Sequence, residues 1–511
     1  MMKAEQIGII DMGSNSIRFV VYDINEKACY KEIQNLKVVA RLSSYITKEG
    51  IMSKEGIDII IKTLHKFEEV LADYSISRVK GVATAAIRNS KNKQEILKAM
   101  RKYSNFDIKI LSEEEEAYYG YLAVTNSTQL EEGITIDIGG GSTEITYFKD
   151  RLLQHSHSFP FGAITLKNQF VAGSTPTKEE WTKLTSFLKE SYSSLPWLQD
   201  KSVPVIGIGG SARNLALVHQ NIISYPLSGL HQYQMSTVDV TSVQSKLSGL
   251  PLSKREKVDG LSKDRADIIL PAIAAIEELL YHVRADEFVV SNKGLRDGIF
   301  YKLFLEPLNT SHFQNVTEEN FYQLSINYSL NITKHKNIAV LSSFLVHELL
   351  HHELISLTSE DLDLMKWSAK VFYIGSSIHP EAKSQHTFYL LTNQAIDGLS
   401  HMDRLAVAFI SSFQSKSSLK QFAKPFSDWI NKEEISKYEL LGAILKFSHG
   451  LNASDRNVIK KIKVSFVHKR TIGLNIFHTD DPFFEEFNAT KYKKHLERVL
   501  NKSIQLTFVP I

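Results

Sequence analysis

Apolar and β-branched positions gather near the start of the chain in two short runs, Ile7–Ile10 and "IRFVVYDI" at 17–24. Between them stand Asp11 and the polar turn "MGSNS". Runs this short, bounded by turn residues, predict two buried strands joined by a tight hairpin. The pattern returns about one domain length later as "GITID", the turn "IGGGST" and "EITYF". Asp11 and Asp137 close the first strand of each copy, which predicts two related α/β units. A third glycine turn, in "VPVIGIGGSARNLALVH", leads instead from a strand into helical periodicity. "SEEEEAYYGYLAV" reads as a helix capped by Ser112, and "RADIILPAIAAIEELL" as a continuous apolar helix with Pro271 near its start. After the linker-like "EPLN" at 306–309, helical periodicity runs to about residue 440. The strand-like "KKIKVSFVHKR" at 460–470 and the helical "KYKKHLERVLNK" at 491–502 follow.

The order of elements limits the chemistry. A dinucleotide fold or a Walker-type loop needs a helix directly after its glycines, whereas both aspartate turns lead into a strand. Glycine lets a ligand approach the backbone, and successive amides with Ser and Thr hydroxyls form an anion-binding concavity. An aspartate at the strand end repels bare phosphate unless a divalent cation stands between them. The third turn, opening a helix, points its amides and positive dipole end at an anion. Taken singly, each turn also reads as an ordinary connection. The paired aspartate hairpins favour phosphate binding.

Composition narrows the class. A chain of 511 residues exceeds one core and suggests about two to four domains. Its 43% hydrophobic content supports globular packing. One cysteine, Cys29, rules out an intramolecular disulfide framework and fits a reducing, cytoplasmic setting. No apolar run approaches the roughly 20 residues of a membrane helix, and "QIGIIDMG" has none of the marks of a signal peptide. The formal net charge of +3 is modest, and neither nucleic acid nor membrane is expected as a partner.

Two α/β halves, each presenting an Asp/Gly hairpin to a phosphate in the cleft, resemble the actin-like ATPase superfamily. "DMGSNSIRFVVYDI", "GVATAAIRNSKN", "ILSEEEEAYYGYLAV", "IDIGGGSTEIT", "IGIGGSARNLA" and "SNKGLRDGIFY" occur in that order. Together they resemble the exopolyphosphatase and guanosine pentaphosphate phosphohydrolase family, strongly over residues 5–305. The resemblance implies two actin-like (ribonuclease H-like) α/β domains around a cleft, at 1–128 and 129–305. A mainly helical, HD-like region at 306–440 and a small α/β segment at 441–511 would follow. Glu116, immediately before Ala117, takes the family's catalytic position, and Asp137 and Glu144 take its metal positions. Phosphate contacts fall on Ser14, Asn15, Ser16, Arg88, Gly140, Gly141, Ser142, Thr143, Gly209, Gly210 and Ser211, with Asp11 acting through water or metal. The implied cofactor is magnesium, with potassium as a stimulating ion, and the implied assembly is a homodimer.

These residue types suit phosphoryl transfer, which asks a protein mainly for positioning and charge compensation. Glu116 would orient and deprotonate water, and the neighbouring acids of the "EEEE" run would raise a proton affinity there. The favoured substrate is inorganic polyphosphate. Guanosine pentaphosphate as substrate, a non-catalytic sensor of phosphate polymers or of guanosine penta- or tetraphosphate, and an ATP-dependent kinase stand as alternatives. ATP is disfavoured because "RADIILPAIAAIEELL" lacks the glycine turn that accommodates adenosine in the superfamily.

The C-terminal half departs from the HD pattern. Phe372 and Tyr373 of "FYIG" replace two metal ligands, Asn452 replaces a third, and His386 alone cannot make a site. An inert scaffold for substrate binding or dimerisation is expected. "HELLH" at 347–351 matches a zinc-protease pattern, but its leucines fit an ordinary amphipathic helix. The basic runs, including Lys460, Lys461, Lys463, Lys469 and Lys493, could form a cationic track for a long polyanion.

Overall fold

The computed structural model describes residues 4–511. They form two compact units: residues up to Tyr225 with Leu230–Val316, and Pro226–Gly229 with Thr317–Ile511. Among the described residues no helix is long and apolar enough to cross a membrane.

The first unit holds two sheets. One comprises β1 (Glu5–Met12), β2 (Ile17–Ile24), β3 (Tyr30–Val38), β4 (Ile76–Ala83) and β5 (Ile108–Ile110), in the order β3-β2-β1-β4-β5. The other comprises β6 (Gly133–Ile138), β7 (Thr143–Lys149), β8 (Leu152–Phe159), β9 (Val205–Ile208), β10 (Tyr233–Ser236) and β11 (Glu287–Val290), in the order β10-β11-β9-β6-β7-β8. Each begins with an antiparallel meander and adds parallel strands beside its first member. The repeated aspartate hairpin is therefore the opening β-turn-β of each sheet.

Register explains why the hairpins matter. β1 and β2 pair Met12 with Ile17, and β6 and β7 pair Ile138 with Thr143, leaving four-residue turns at 13–16 and 139–142. Both turns close with the same bond, Gly13 N to Ser16 O and Gly139 N to Ser142 O, each 3.0 Å. One step back in register, Asp11 stands opposite Arg18 and Asp137 opposite Glu144. Side chains of directly opposed residues share a face, so these pairs lie side by side.

Two helices join the halves of this unit. Glu113–Thr125 has the anticipated cap: Ser112 Oγ accepts from Glu115 N, and Glu115 accepts from Ser112 N. Leu295–Leu305 crosses it so closely that a Cβ on Gly298 would lie 1.9 Å from Tyr119 O. Leu122, Ile299, Phe300 and Phe304 enter one buried cluster with Ile7, Ile9, Ile206 and Ile208. Burial of each such side chain contributes about 2 kcal/mol, which holds the Glu113 helix firmly over both sheets. The apolar helix Ile269–Val283 forms with Pro271 in its first turn, where a missing N–H costs little.

The second unit is mainly helical from Thr317 to Gly450. It ends in the sheet β12 (Ile459–Val467), β13 (Thr471–His478) and β14 (Ser503–Pro510), with the helix Phe483–Leu500. The anticipated boundaries at 305/306 and 440/441 both move. Phe313 and Val316 pack into the first unit's core, so the division falls after Val316. The helix Lys432–Gly450, capped by Asn431 and Glu434, runs unbroken through position 440. Of the lysines proposed as a track, Lys461, Lys463 and Lys469 are exposed, whereas Lys493 donates to Ile504 O at 2.7 Å.

Candidate active site

The two hairpin turns and the start of the Gly209–Ile222 helix border one cleft of about 440 Å³. The turns face each other: a Cβ on Gly140 would lie 3.9 Å from Ser14 Cβ. Their outer carbonyls are engaged elsewhere. Ser14 and Asn15 accept from Ser43 and Arg41, and Gly139 and Gly140 accept from Ala163 and Ile164. Asn15 Nδ2 reaches across to Asp264 Oδ2 at 3.3 Å. Gly209 sits at φ +82°, and a Cβ there would lie 2.2 Å from Asp137 Oδ1. Only glycine lets the helix begin against that carboxylate.

Charges of both signs line the cleft. The acids are Glu116, Asp137, Glu144, Asp11 and Asp264, and the cations are Arg18, Arg213, Arg265, Arg296 and Lys37. Burial pushes Glu116 up to about 7, Asp137 and Asp11 adding to the rise and Arg88 opposing it. Burial likewise lifts Glu144 to about 8, reinforced by Glu116 and Asp137. Asp137 is raised by burial and Asp11, against Arg213 and Arg265. Asp11 is raised by burial, against Arg296, whose Nε stands 3.7 Å from its Oδ2, and against Arg18.

The cause of the Glu116 shift corrects the expectation from "EEEE". Its sequence neighbours do not supply it. Glu113 and Glu114 are exposed, a backbone hydrogen bond and Ser112 hold Glu114 below its usual value, and Glu115 pairs with Lys109. The perturbing acids come from the ends of β1 and β6. Arg88 Nη1 donates to Glu116 Oε2 at 2.7 Å and to Leu111 O at 3.3 Å.

The clustered carboxylates define what the site can hold. Asp137 and Glu144 are adjacent cross-strand acids, and Asp137 raises the proton affinity of both Glu144 and Glu116. That is the signature of a pair suited to a small divalent cation. Among the described residues no three such side chains already converge as a complete ligand set. Magnesium commonly takes one or two carboxylates and completes its shell with water and substrate phosphates, so the donors fit that ion.

Sequence profiles match this architecture: the Ppx/GppA phosphatase family over residues 20–306 and its domain III over residues 316–492. The chain belongs to the Ppx/GppA phosphatase family. It is 22% identical over 302 residues to exopolyphosphatase 1 of Mycobacterium bovis, covering 58% of this chain and 88% of that protein. It is 24% identical over 294 residues to a bifunctional 3-dehydroquinate synthase/phosphatase of Fusobacterium nucleatum, covering 55% of this chain. This chain spans 44% of the Fusobacterium protein's length. The crystal structure of the Aquifex aeolicus Ppx/GppA family member matches with a TM-score of 0.54 at 27% identity, over 61% of this chain and all of that one. An exopolyphosphatase from Cytophaga hutchinsonii shares the fold, with a TM-score of 0.53 at 24% identity, over 59% of this chain and 98% of that one.

Within this Ppx/GppA cleft, Asp11, Ser14, Asn15, Ser16, Glu116, Asp137, Gly140, Ser142, Glu144, Gly209 and Gly210 all line the wall. Four other anticipated residues stand outside it. Thr143 is buried and donates to Phe161 O at 2.7 Å, and Ser211 donates to Ile138 O at 3.3 Å. Gly141 lies beyond the lining, and Arg88 backs Glu116 from an adjoining groove shared with Lys93 and Lys109. The arginines of the cleft were not singled out from sequence. Arg18, Arg213 and Arg296 nevertheless lie inside the motifs that carry the resemblance, and a cation beside a phosphate loop was the available signal. Arg265 had none, standing at the head of an apolar stretch with no glycine turn. Its guanidinium lies 2.2 Å from where a Cβ on Gly210 would stand.

The "HELLH" stretch is an ordinary helical surface. His347 is exposed, and Glu348 Oε2 accepts from Val464 N at 2.9 Å, which ties the helix to β12.

Proposed function

We propose that the protein is an exopolyphosphatase, removing terminal orthophosphate from inorganic polyphosphate by in-line attack of water. The observation that carries this reading is that one cleft combines a largely buried carboxylate of raised proton affinity with four arginines. Two loops of small residues border the same space. Among the described residues the lining includes no aromatic ring on which a base could stack; its apolar members are aliphatic (Ile138, Ile164, Ile268, Leu295), beside the polar Lys37, Thr84, Asn214, Ser262 and Asp264, which favours a substrate read through its phosphates.

In this scheme the terminal phosphate sits between the hairpin turns, its outer oxygens against backbone amides and the start of the Gly209 helix. Glu116 accepts a proton from water as the water oxygen bonds to phosphorus. The bridging P–O bond on the opposite side breaks, and its electron pair leaves with the shortened chain. Arg213, Arg265 and Arg296 hold that chain and offset its charge. Magnesium at Asp137 and Glu144, when bound, would neutralise non-bridging oxygens. Arg88 keeps Glu116 oriented and lowers its proton affinity enough for ionisation near neutral pH.

Orthophosphate release from long polyphosphate and from guanosine pentaphosphate, assayed in parallel, tests the reading. The larger kcat/KM should belong to polyphosphate. Release from the pentaphosphate alone would assign the protein to alarmone metabolism, and binding without release from either would make it a sensor. A stable phosphorylated acceptor formed from ATP would make it a kinase.

A further inference from the structure

The helical unit contains a cavity of about 840 Å³ that the proposed reaction does not use. Its lining combines Lys334, Lys383, His335, His449, Ser376 and Ser377 over a floor of Phe372 and Tyr373, with Asp455 as its acid. We infer that this cavity binds a small oligophosphate, free or carried on a nucleotide, as a second ligand separate from the cleft.

Helix electrostatics give the first argument. Lys334 lies in the first turn of Ile332–His351, and Lys383 opens the helix Lys383–Asn393. A cation at a helix N-terminus is set against the positive end of the dipole. Several other helices of this unit follow the usual preference, with Glu360 and Asp361, Asp403, and Glu433 and Glu434 in first turns, although Lys416–Ala423 also opens on a lysine without an acid. Neither helix facing the cavity has an acid in its first turn. Two helix starts and two misplaced lysines thus converge on one space, an arrangement that an anion would relieve.

The second argument is the lack of compensation. Lys334 pairs with Asp455 at 3.1 Å, but among the described residues Lys383 meets only the face of Tyr373, 4.3 Å away. Burial, then Lys334 and Lys491, lower the proton affinity of Lys383. Burial together with Lys383, Lys334, His335 and Lys446 holds His449 down to about 3, a neutral imidazole whose buried Nδ1 has no hydrogen-bond partner among the described residues. His335 is engaged, with Asn331 O at 2.9 Å and Phe372 O at 3.2 Å from its ring nitrogens. The floor is held in a costly shape: Tyr373 has φ +59°, fixed by bonds to Ser411 O and Phe413 O. Bulky residues in that region mark positions held by their surroundings, often at ligand sites. A cavity of this volume accommodates a nucleotide-sized ligand.

Hydrogen–deuterium exchange on the full chain carrying Glu116→Gln, with tripolyphosphate and with GTP as probes, tests the site. Exchange should slow at 374–383 and 449–456, as well as at the cleft turns 13–16 and 139–142. In a Lys334→Ala/Lys383→Ala protein the slowing should vanish from the helical unit and persist at the cleft turns. Comparable slowing by both probes assigns recognition to the phosphates, and a GTP concentration requirement at least tenfold lower assigns the ligand to nucleotides. Slowing confined to the cleft turns, or retained in the double variant, overturns the inference. Loss at the cleft turns alone would count against the cleft reading instead. Should the double variant unfold, Asp455→Asn decides: removing the cavity's acid should lower the half-maximal tripolyphosphate concentration several-fold at 374–383, and an unchanged or higher value overturns the inference.

Discussion

Replacing Glu116 with Gln should abolish the proposed hydrolysis and stabilise the protein at the same time. Burial, with Asp137 and Asp11, moves this carboxyl from 4.5 to about 7. At about 1.36 kcal/mol per pKa unit, ionising it costs about 3 kcal/mol more in the folded cleft than in the unfolded chain. The unfolded chain releases this proton first, so the folded state binds more protons between about pH 4.5 and 7, and stability falls as pH rises through that window. The loss is complete above the folded value and absent below the unfolded one. Glutamine keeps the shape and the bond from Arg88 without the charge. In magnesium-free buffer the variant should therefore gain about 3 kcal/mol at about pH 8, and about 0.8 kcal/mol at about pH 5. It should also relieve Glu144, whose proton affinity Glu116 raises. Urea unfolding at the two pH values with a chelator present measures the difference. Turnover of the variant should fall about 10²–10⁴-fold. A variant no more stable than the parent at the higher pH, or equally stabilised at both, would refute the electrostatic reasoning.

Other substitutions probe the surrounding geometry. Arg88→Met removes the group that lowers Glu116's proton affinity, so the acid limb of the kcat–pH profile should move to higher pH; an unmoved limb would separate Arg88 from the base. Asp137→Asn and Glu144→Gln should each raise the magnesium concentration needed for half-maximal rate, and an unchanged metal dependence in both would remove them from the ion's coordination. Gly209→Ala forces a side chain into a left-handed backbone and against Asp137, so stability should drop by more than about 1 kcal/mol and turnover with it; a normal unfolding midpoint and rate would contradict the close approach of that helix start to the carboxylate.

Much of the cleft was legible because strand-turn-strand patterning dictates register. Once Ile7–Ile10 and "IRFVVYDI" are strands and the turn has four residues, Asp11 must face Arg18, and Asp137 must face Glu144 by the same count. The Ser112 cap was equally visible, since capping depends on neighbours in sequence. Features set by tertiary contact were not. Thr143 and Ser211 look like phosphate ligands in sequence, yet each hydroxyl donates to a backbone carbonyl, of Phe161 and Ile138 respectively. The acids that perturb Glu116 lie in two other strands, so the "EEEE" run pointed to the right residue for the wrong reason. Arg265 enters the cleft from outside the motifs that carry the resemblance, its guanidinium lying in the space that a side chain at Gly210 would take.

The central claim, that this cleft directs water to the terminal phosphorus of a polyphosphate chain, is tested most directly by turnover in ¹⁸O-enriched water. The account predicts that each released orthophosphate carries one solvent oxygen, that the remaining polymer carries none, and that Glu116→Gln suppresses the labelled product. Label appearing in the shortened polymer, or no orthophosphate from polyphosphate at all, would contradict it.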